Sequence, residues 1–307
     1  MFLAELADKC PWISVETDGE FDTLGNVEDA GRNKKLLVYI EDEKYVDMAF
    51  ENKNVGCIIC REEMLKHFAT GERFGLCTAG NPKRAFFEIH NYLAGIPSFY
   101  EQITTGRISA SSRIHPSAVV AGRVIIGDGT IIEPNVTIYD NVEIGSNVIV
   151  GAGSVIGGEG FKFFRDGDVV ISVKHAGKVV IGDNVEIQSN CCIDKAIFEE
   201  ATIIGEYTKL DNFVHVAHNV KIGKRCLVAA NAVISGYTEI GDDVWIGPSS
   251  TISNFISVGN RARITIGSVI TKNVKEGEVV YLPRYQVNMP GDLNAVMKDA
   301  MKRDDKG

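Results

Sequence analysis

From Ile204 to Ile270 the chain reads IGEYTKLDNFVHVAHNVKIGKRCLVAANAVISGYTEIGDDVWIGPSSTISNFISVGNRARITIGSVI, and an aliphatic residue returns at every sixth position. The series runs Ile204, Leu210, Val216, Ile222, Val228, Ile234, Ile240, Ile246, Ile252, Val258, Ile264 and Ile270. The same period occupies Ile114 to Ile156 and returns at Ile181, Ile187 and Ile193, so twenty-three aliphatics stand in register with no miss inside a run. Four residues after each aliphatic the side chain is small or β-branched, as at Val136, Val148, Ser154, Cys191, Val214, Ala232 and Ser250. A period of six across this length specifies a solenoid, in which a repeat cannot bury its apolar face without its neighbours.

Three hexads make an eighteen-residue triangular coil with three short flat sides. The aliphatic points into the prism and the small residue fills the tight space beside a corner. Gly often follows the aliphatic, as in Ile126-Gly127, Ile181-Gly182, Ile222-Gly223 and Ile246-Gly247. At corners, Gly or Asn is expected to supply positive φ. The expected fold is mainly β, a parallel β-helix over residues 106–285. It carries a small α/β domain at 1–105 and a short helix at 286–307. The front domain shows buried-strand patterns at LLVYI (Leu36–Ile40) and VGCIIC (Val55–Cys60), and a helix opened by Asn81-Pro82 and stopped at Gly95. The last helix would start at Pro290-Gly291-Asp292, with Leu293, Val296, Met297 and Met301 on one side and Lys298, Lys302 and Arg303 as a basic face.

A formal charge of −9 over 307 residues argues against nucleic acid or an anionic membrane as the main partner. The start, MFLAELADKCPW, lacks the basic and apolar blocks of a secretory signal, and no apolar run reaches a membrane span of ~18–20 residues. The seven cysteines form no disulfide framework, and the Cys57–Cys60 pair falls inside a buried-strand pattern. The cytoplasm is the expected compartment.

Two breaks interrupt the repeat, and loops thrown out of a rigid solenoid are where binding residues collect. The larger is GGEGFKFFRDGDVVISVKHAGK, between Ile156 and Ile181; the smaller separates Ile193 from Ile204. Of the six histidines, His67, His90 and His115 lie away from the breaks, whereas His175 sits in the large one and His215 and His218 follow the small one. His218 comes two residues after an inward aliphatic, so it is expected at a corner, facing solvent or a neighbouring subunit. One coil onward stands Gly236, whose N–H could meet an oxyanion formed beside His218. A base with a fixed backbone donor is the minimum equipment for acyl transfer. Asp211 is a candidate to orient His218. Phe161 and Phe163 could cover an acyl or pantetheine arm.

The segments GEGF, VKHAGKVVIGDNVEIQSNCCID and TIIGEYTKLDNFVHVAHNVKIG together resemble the UDP-3-O-acylglucosamine N-acyltransferase family of lipid A biosynthesis. KYVDMAF and the Asn-Pro-initiated helix extend the resemblance into the front domain. It implies a left-handed β-helix and a homotrimer with active sites between adjacent prisms. It also implies His218 as general base, the Gly236 backbone as oxyanion donor, and no metal or cofactor beyond the thioester co-substrate. The acceptor would be a nucleotide-linked amino sugar, and the donor acyl carrier protein or acyl-CoA. The family's uracil-bracketing residues fall on Tyr39 and Asp42. His175 and Asp194 fall within its motifs. The chain departs from the pattern in having Lys195 where the family has Arg, and Phe255 where it has a second histidine. These departures leave two alternatives: a short-acyl, coenzyme A-dependent N-acetyltransferase serving surface polysaccharide, and a non-catalytic β-helix module. A metal-dependent β-helix would need three histidines, which His175, His215 and His218 could supply, but their HxxH spacing differs from the HxxxxH of such proteins.

Overall fold

A computed structural model describes residues 1–29, 33–68 and 73–281. The predicted C-terminal helix, with Lys298, Lys302 and Arg303, lies outside the described residues.

The hexads form a left-handed parallel β-helix whose three faces are sheets of nine, eight and eight strands. Ile131 pairs with Arg113 and with Ile149, so each turn of the prism takes eighteen residues. The in-register aliphatics from Ile126 to Ile270 are buried and form one continuous core with Val136, Val148, Cys191, Val214 and Ala232. Ile114 and Val120, at the exposed end of the stack, are partly buried. At the corners the backbone turns left-handed every sixth residue: Asn135, Asn141, Asn147, Asn184, Asn190, Asn219 and Asn231 all have φ between 56° and 69°. Asn tolerates this region better than other side-chain-bearing residues.

The glycines that follow the aliphatics have a different purpose from the one expected. None of Gly127, Gly182, Gly223 or Gly247 has positive φ. They permit close approach of successive coils: a Cβ on Gly205 would lie 2.5 Å from the Gly223 backbone, and one on Gly223 would lie 2.6 Å from Gly241. Such spacing admits only hydrogen at that position.

Both breaks are insertions that leave the register intact. Val124 pairs with Val142, and Val142 then pairs with Val179, so nineteen extra residues leave and rejoin the prism between adjacent strands. Lys178 pairs with Ala201, an addition of five. The large insertion carries an antiparallel hairpin, Phe163–Asp166 with Val169–Ser172, turning at Gly167.

The front domain is a five-stranded sheet whose order places Ser14–Thr17 at one edge, then Gly75–Thr78, Val55–Cys60, Leu36–Ile40 and Thr23–Leu24. All neighbours but the first pair are parallel. Cys57 and Cys60 are buried in a central strand, as the sequence pattern implies. The helix Pro82–Leu93 is capped by the Asn81 side chain, which accepts from the Arg84 N–H. This helix receives the hairpin. Arg84 Nη1 meets Asp166 at 2.6 Å, Asn91 Nδ2 donates to Ser172 O at 2.8 Å, and His90 Nε2 meets Lys174 O at 2.8 Å. Phe164 and Val173 of the large insertion and Ile197 and Phe198 of the small one join the front domain's core, so the insertions are its bridge to the prism. Among the described residues no helix is long and apolar enough to cross a membrane.

Gly205→Ala should destabilise the prism by about 1–3 kcal/mol, the scale of forced overpacking. Asn231→Gly, at a left-handed corner, should cost less than ~0.5 kcal/mol. Thermal or denaturant unfolding of the two variants measures the difference, and equal effects would show that coil spacing does not set the glycine requirement.

Candidate active site

The large insertion folds back over one corner of the prism and buries a cluster of ionisable side chains there. His175, at its returning end, donates through Nδ1–H to Glu159 Oε2 at 3.0 Å, and its backbone N–H binds the same oxygen at 2.9 Å. Glu159 Oε1 lies 3.2 Å from Lys195 Nζ. Burial acts to raise the Glu159 carboxyl, but the His175 hydrogen bond and the Lys195 charge outweigh it and hold the group at about 2. The other ring nitrogen of His175, Nε2, is buried without a hydrogen-bond partner. It faces Gly160: a Cβ on that glycine would lie 2.8 Å from His175 Nε2, 3.1 Å from Asp194 Oδ2 and 3.2 Å from His218 Cδ2. Three polar side chains thus converge where the chain has no side chain of its own.

His218 is only 8% exposed, because the Gly160 segment covers it; it does not stand open to solvent as its corner position suggested. Its Nδ1 meets Asn219 Oδ1 at 3.2 Å, and the Asn219 amide in turn donates to Glu200. The chain of partners makes Nδ1 the protonated nitrogen and leaves the Nε2 lone pair free to accept. Burial, with smaller contributions from His175, Lys162 and His215, pushes the His218 pKa down to about 4, against the opposing effect of Asn219. Gly236 lies against the ring: a Cβ there would come within 2.6 Å of His218 Cε1 and 2.9 Å of Nε2. The expected pairing of His218 with a glycine one coil onward is therefore present. Asp194 sits 3.7 Å from His215 Nε2, and burial together with the Glu159 charge raises its carboxyl to about 7.

Asp211 does not touch His218. Its Oδ1 accepts from the Asn212 backbone and side chain at 2.7 and 2.9 Å, and its Oδ2 from Ala230 N at 3.1 Å. Seven residues exceed one hexad, so the two side chains stand at different corners of the same coil; Asn219 takes the orienting position instead. Phe161 is 87% exposed and leans edge-on against Phe163 at 4.9 Å, so neither packs onto the prism core.

Beyond His218 an aromatic column leads outward. Tyr237 meets the His218 ring edge-on at 5.4 Å, and Phe255 stacks on Tyr237 at 4.9 Å with the planes 9° apart. Phe255 borders a cavity of about 600 Å³ that it shares with Asn26, Tyr39, Asp42, Lys83, Phe87 and Lys162. Tyr39, packed on Phe86 at 5.0 Å, lies near the carboxyl end of the parallel strand Leu36–Ile40 and Asp42 just beyond it, at the edge where such sheets bind ligands. Lys162 Nζ lies 5.8 Å over the Phe87 ring, and burial followed by the charge of Lys83 depresses its pKa. The tertiary structure thus gathers Tyr39, Asp42 and Phe255, named from sequence, with two lysines that the sequence did not single out. Glu159, Asn219 and Glu200 were also missed. Glu159 carries a weak signal as the one acid in a glycine run, while Asn219 reads as an ordinary corner residue. Among the described residues no group of three His, Cys, Asp or Glu side chains is placed to hold a metal ion.

The hexads match the model of the bacterial transferase hexapeptide (six repeats) at residues 106–140, 124–158 and 201–236, and residues 237–272 match the hexapeptide repeat of succinyl-transferase. Residues 106–158 and 201–272 thus carry hexapeptide repeats of the kind found in bacterial transferases. Over part of its length the chain is similar to proteins named UDP-3-O-acylglucosamine N-acyltransferase. It is 40% identical to the one from Caulobacter sp. (strain K31) over 109 residues, 36% of this chain and 32% of that protein. It is 38% identical to the probable mitochondrial UDP-3-O-acylglucosamine N-acyltransferase 2 of Arabidopsis thaliana over 122 residues, 39% of this chain and 40% of that protein. The chain therefore spans about a third to two-fifths of the length of these relatives. Among solved structures it is similar to the UDP-N-acetylglucosamine acyltransferase of Francisella novicida, with 25% identity, a TM-score of 0.45, and coverage of 55% of this chain and 62% of that one.

Asp194 gives the site a measurable signature. An unfolded Asp ionises near ~3.9, so between about pH 4 and pH 7 the folded chain keeps a proton that the unfolded chain releases. The group's contribution to stability is present below pH 4 and is lost as pH rises through 7. Asp194→Asn should therefore melt higher than the parent at pH 8, by the equivalent of about 1–3 kcal/mol, and close to it at pH 4. Matching melting curves at both pH values would mean that Asp194 ionises normally.

Proposed function

We propose that this chain is an N-acyltransferase, moving an acyl group from a thioester to the amine of a nucleotide-linked amino sugar, of the UDP-3-O-acylglucosamine N-acyltransferase type. The observation that carries the reading is His218. It is oriented through Nδ1 by Asn219 and lies against Gly236, at the inner end of an aromatic column that opens on the Tyr39 cavity. A tight buried base beside a backbone donor suits acyl transfer, and the half-open cavity, whose lining also includes Glu28, Glu41 and Asp42, offers a nucleoside diphosphate an aromatic wall and local cationic contacts at Lys83 and Lys162. The curated relatives carry that activity in their names.

In this mechanism the nucleoside rests on the Tyr39 and Asp42 side, and the diphosphate lies between Lys83 and Lys162. The amine reaches His218. As its nitrogen attacks the thioester carbonyl, the C–N bond forms and the carbonyl π electrons move to oxygen. The Gly236 N–H, which makes no hydrogen bond among the described residues, is the donor to that oxyanion. His218 Nε2 takes the amine proton. When the C–S bond breaks, the electron pair leaves on sulfur and the imidazolium returns the proton to it, as a conjugate acid with a pKa near 4 readily does. The products are an amide and a thiol, and neither a metal nor a covalent enzyme intermediate is required. The thioester belongs to acyl carrier protein or coenzyme A. The homotrimer implied by the family resemblance is checked by light scattering, and a stable monomer at micromolar concentration would remove it. The cytoplasm, where both thioesters are made, is the matching compartment.

The reading is tested by offering nucleotide-linked amino sugars with hydroxyacyl-carrier protein or acetyl-coenzyme A and following the N-acylated product by mass spectrometry. No product from any pair rejects it. His218→Ala should lower kcat by on the order of 10²–10⁴ with the melting temperature preserved, the usual loss for a general base. Turnover within a few-fold of the parent would make His218 a structural corner residue.

Tyr39→Ala should raise KM for the sugar nucleotide about tenfold or more while kcat changes little, because ground-state and transition-state binding are lost together. An unchanged KM in steady-state kinetics would place the base elsewhere.

A further inference from the structure

Asn219, Tyr237 and Phe255 occupy the same corner of three successive coils, linked by Tyr237 N–H to His218 O at 3.1 Å and Phe255 N–H to Gly236 O at 3.2 Å. All three have the left-handed backbone, with φ of 61°, 60° and 59°. Asn takes many such corners, as Asn135, Asn147, Asn184 and Asn231 show, although Tyr207 and Phe213 take others away from this cavity. A bulky aromatic is a poor choice there on backbone grounds alone. The column nevertheless changes from Asn to aromatic where it leaves His218 and enters the cavity. Phe255 gains no core packing in return: it is 60% exposed, and its ring rests on Tyr237. One side of the ring is therefore supported and the other side borders the cavity that Tyr39, Asp42, Lys83 and Lys162 also line.

We infer that Phe255, backed by Tyr237, is the residue that carries the acceptor's sugar ring, between the diphosphate site and His218. This rests on the functional reading above, and extends it by assigning the sugar to particular side chains. A pyranose has an apolar surface made of its ring C–H groups, and such a surface packs on an aromatic ring while its equatorial hydroxyls point sideways to water or polar groups. The Phe255 ring face offers no donor or acceptor, so a hydroxyl projecting perpendicular to the sugar ring onto it would lose its water without replacement. The class selected is a hexosamine that presents an unobstructed C–H surface to Phe255. The rigid stack also fixes the height at which the ring lies, and so the level of the amine beside His218.

The test separates the sugar from the nucleotide. Calorimetry measures binding of UDP alone and of a UDP-linked amino sugar to the full chain and to Phe255→Asn, a substitution that suits the left-handed corner, with Phe255→Tyr as the conservative control. The expected result is that the sugar tightens binding at least tenfold in the parent and in Phe255→Tyr, and less than threefold in Phe255→Asn, while UDP alone binds all three alike. In turnover, Phe255→Asn should raise KM for the sugar nucleotide about tenfold and leave KM for the thioester unchanged. Equal weakening of UDP and UDP-sugar, a sugar increment that survives in Phe255→Asn, or a rise confined to the thioester KM would each overturn the inference while leaving the N-acyltransferase reading standing. Failure of the parent to bind either ligand would instead reject the functional reading and this inference with it.

Discussion

Everything in this molecule depends on closure of the eighteen-residue coil. Each turn must bring the chain back to the same face in register, or the inward aliphatics no longer stack and the hydrogen bonds between coils fail. The left-handed corner residues make the sharp turns, and the hydrogen-sized glycines let coils approach to backbone contact. The resulting ladder is uniform: Gly205 N–H to Ile222 O, Gly223 N–H to Ile240 O and Gly241 N–H to Val258 O are all 2.8 Å. Strands of two residues hold because each is paired on both sides and its aliphatic is buried in a continuous column.

That regularity lets insertions carry chemistry. A loop that leaves after one strand and returns before the next changes no pairing, so nineteen residues are accommodated without disturbing Val142 or Val179. The insertion is anchored on the front domain by Arg84, His90 and Asn91 and on the prism corner by Glu159 and Lys195. It therefore acts as a roof whose position is set from both sides. Under it, Gly160 approaches His175, Asp194 and His218 closely enough that a methyl group would not fit.

The same roof separates the ionisable groups in proton affinity. Glu159 is held near 2 by its two cationic or donating partners, Asp194 is raised to about 7 by burial and the Glu159 charge, and His218 is lowered to about 4 chiefly by burial. At neutral pH His218 is thus a neutral imidazole with a free acceptor nitrogen, and Glu159 remains a carboxylate that keeps the His175 ring in one tautomer. Groups with divided pKa values in a covered site are the ordinary mark of proton-transfer chemistry.

The prism was legible in the sequence because a six-residue period is a local signal repeated until no other fold accounts for it. The insertions were legible as failures of that period, and His218 with Gly236 because a coil of known length converts sequence separation into stacking. The front domain's strands and the Asn81-capped helix followed from patterns of the same local kind. What the sequence could not decide is which side chains share a corner or meet across the roof. Asp211 stood in the coil of His218 but at a different corner, and Asn219, which reads as a turn former, proved to be its partner. The glycines after the aliphatics read as turn residues and proved to be contact residues, because steric fit between coils has no signature within one coil. Lys162 became a site residue only when the insertion docked on the helix Pro82–Leu93 and brought it beside Lys83 at the cavity that Tyr39 and Phe255 border, and Glu159 only when the same insertion folded back onto His175 and Lys195. Period and composition determine the solenoid, since each hexad repeats the same local energetics; the site depends on contacts between segments far apart in the chain, and only tertiary packing sets those distances.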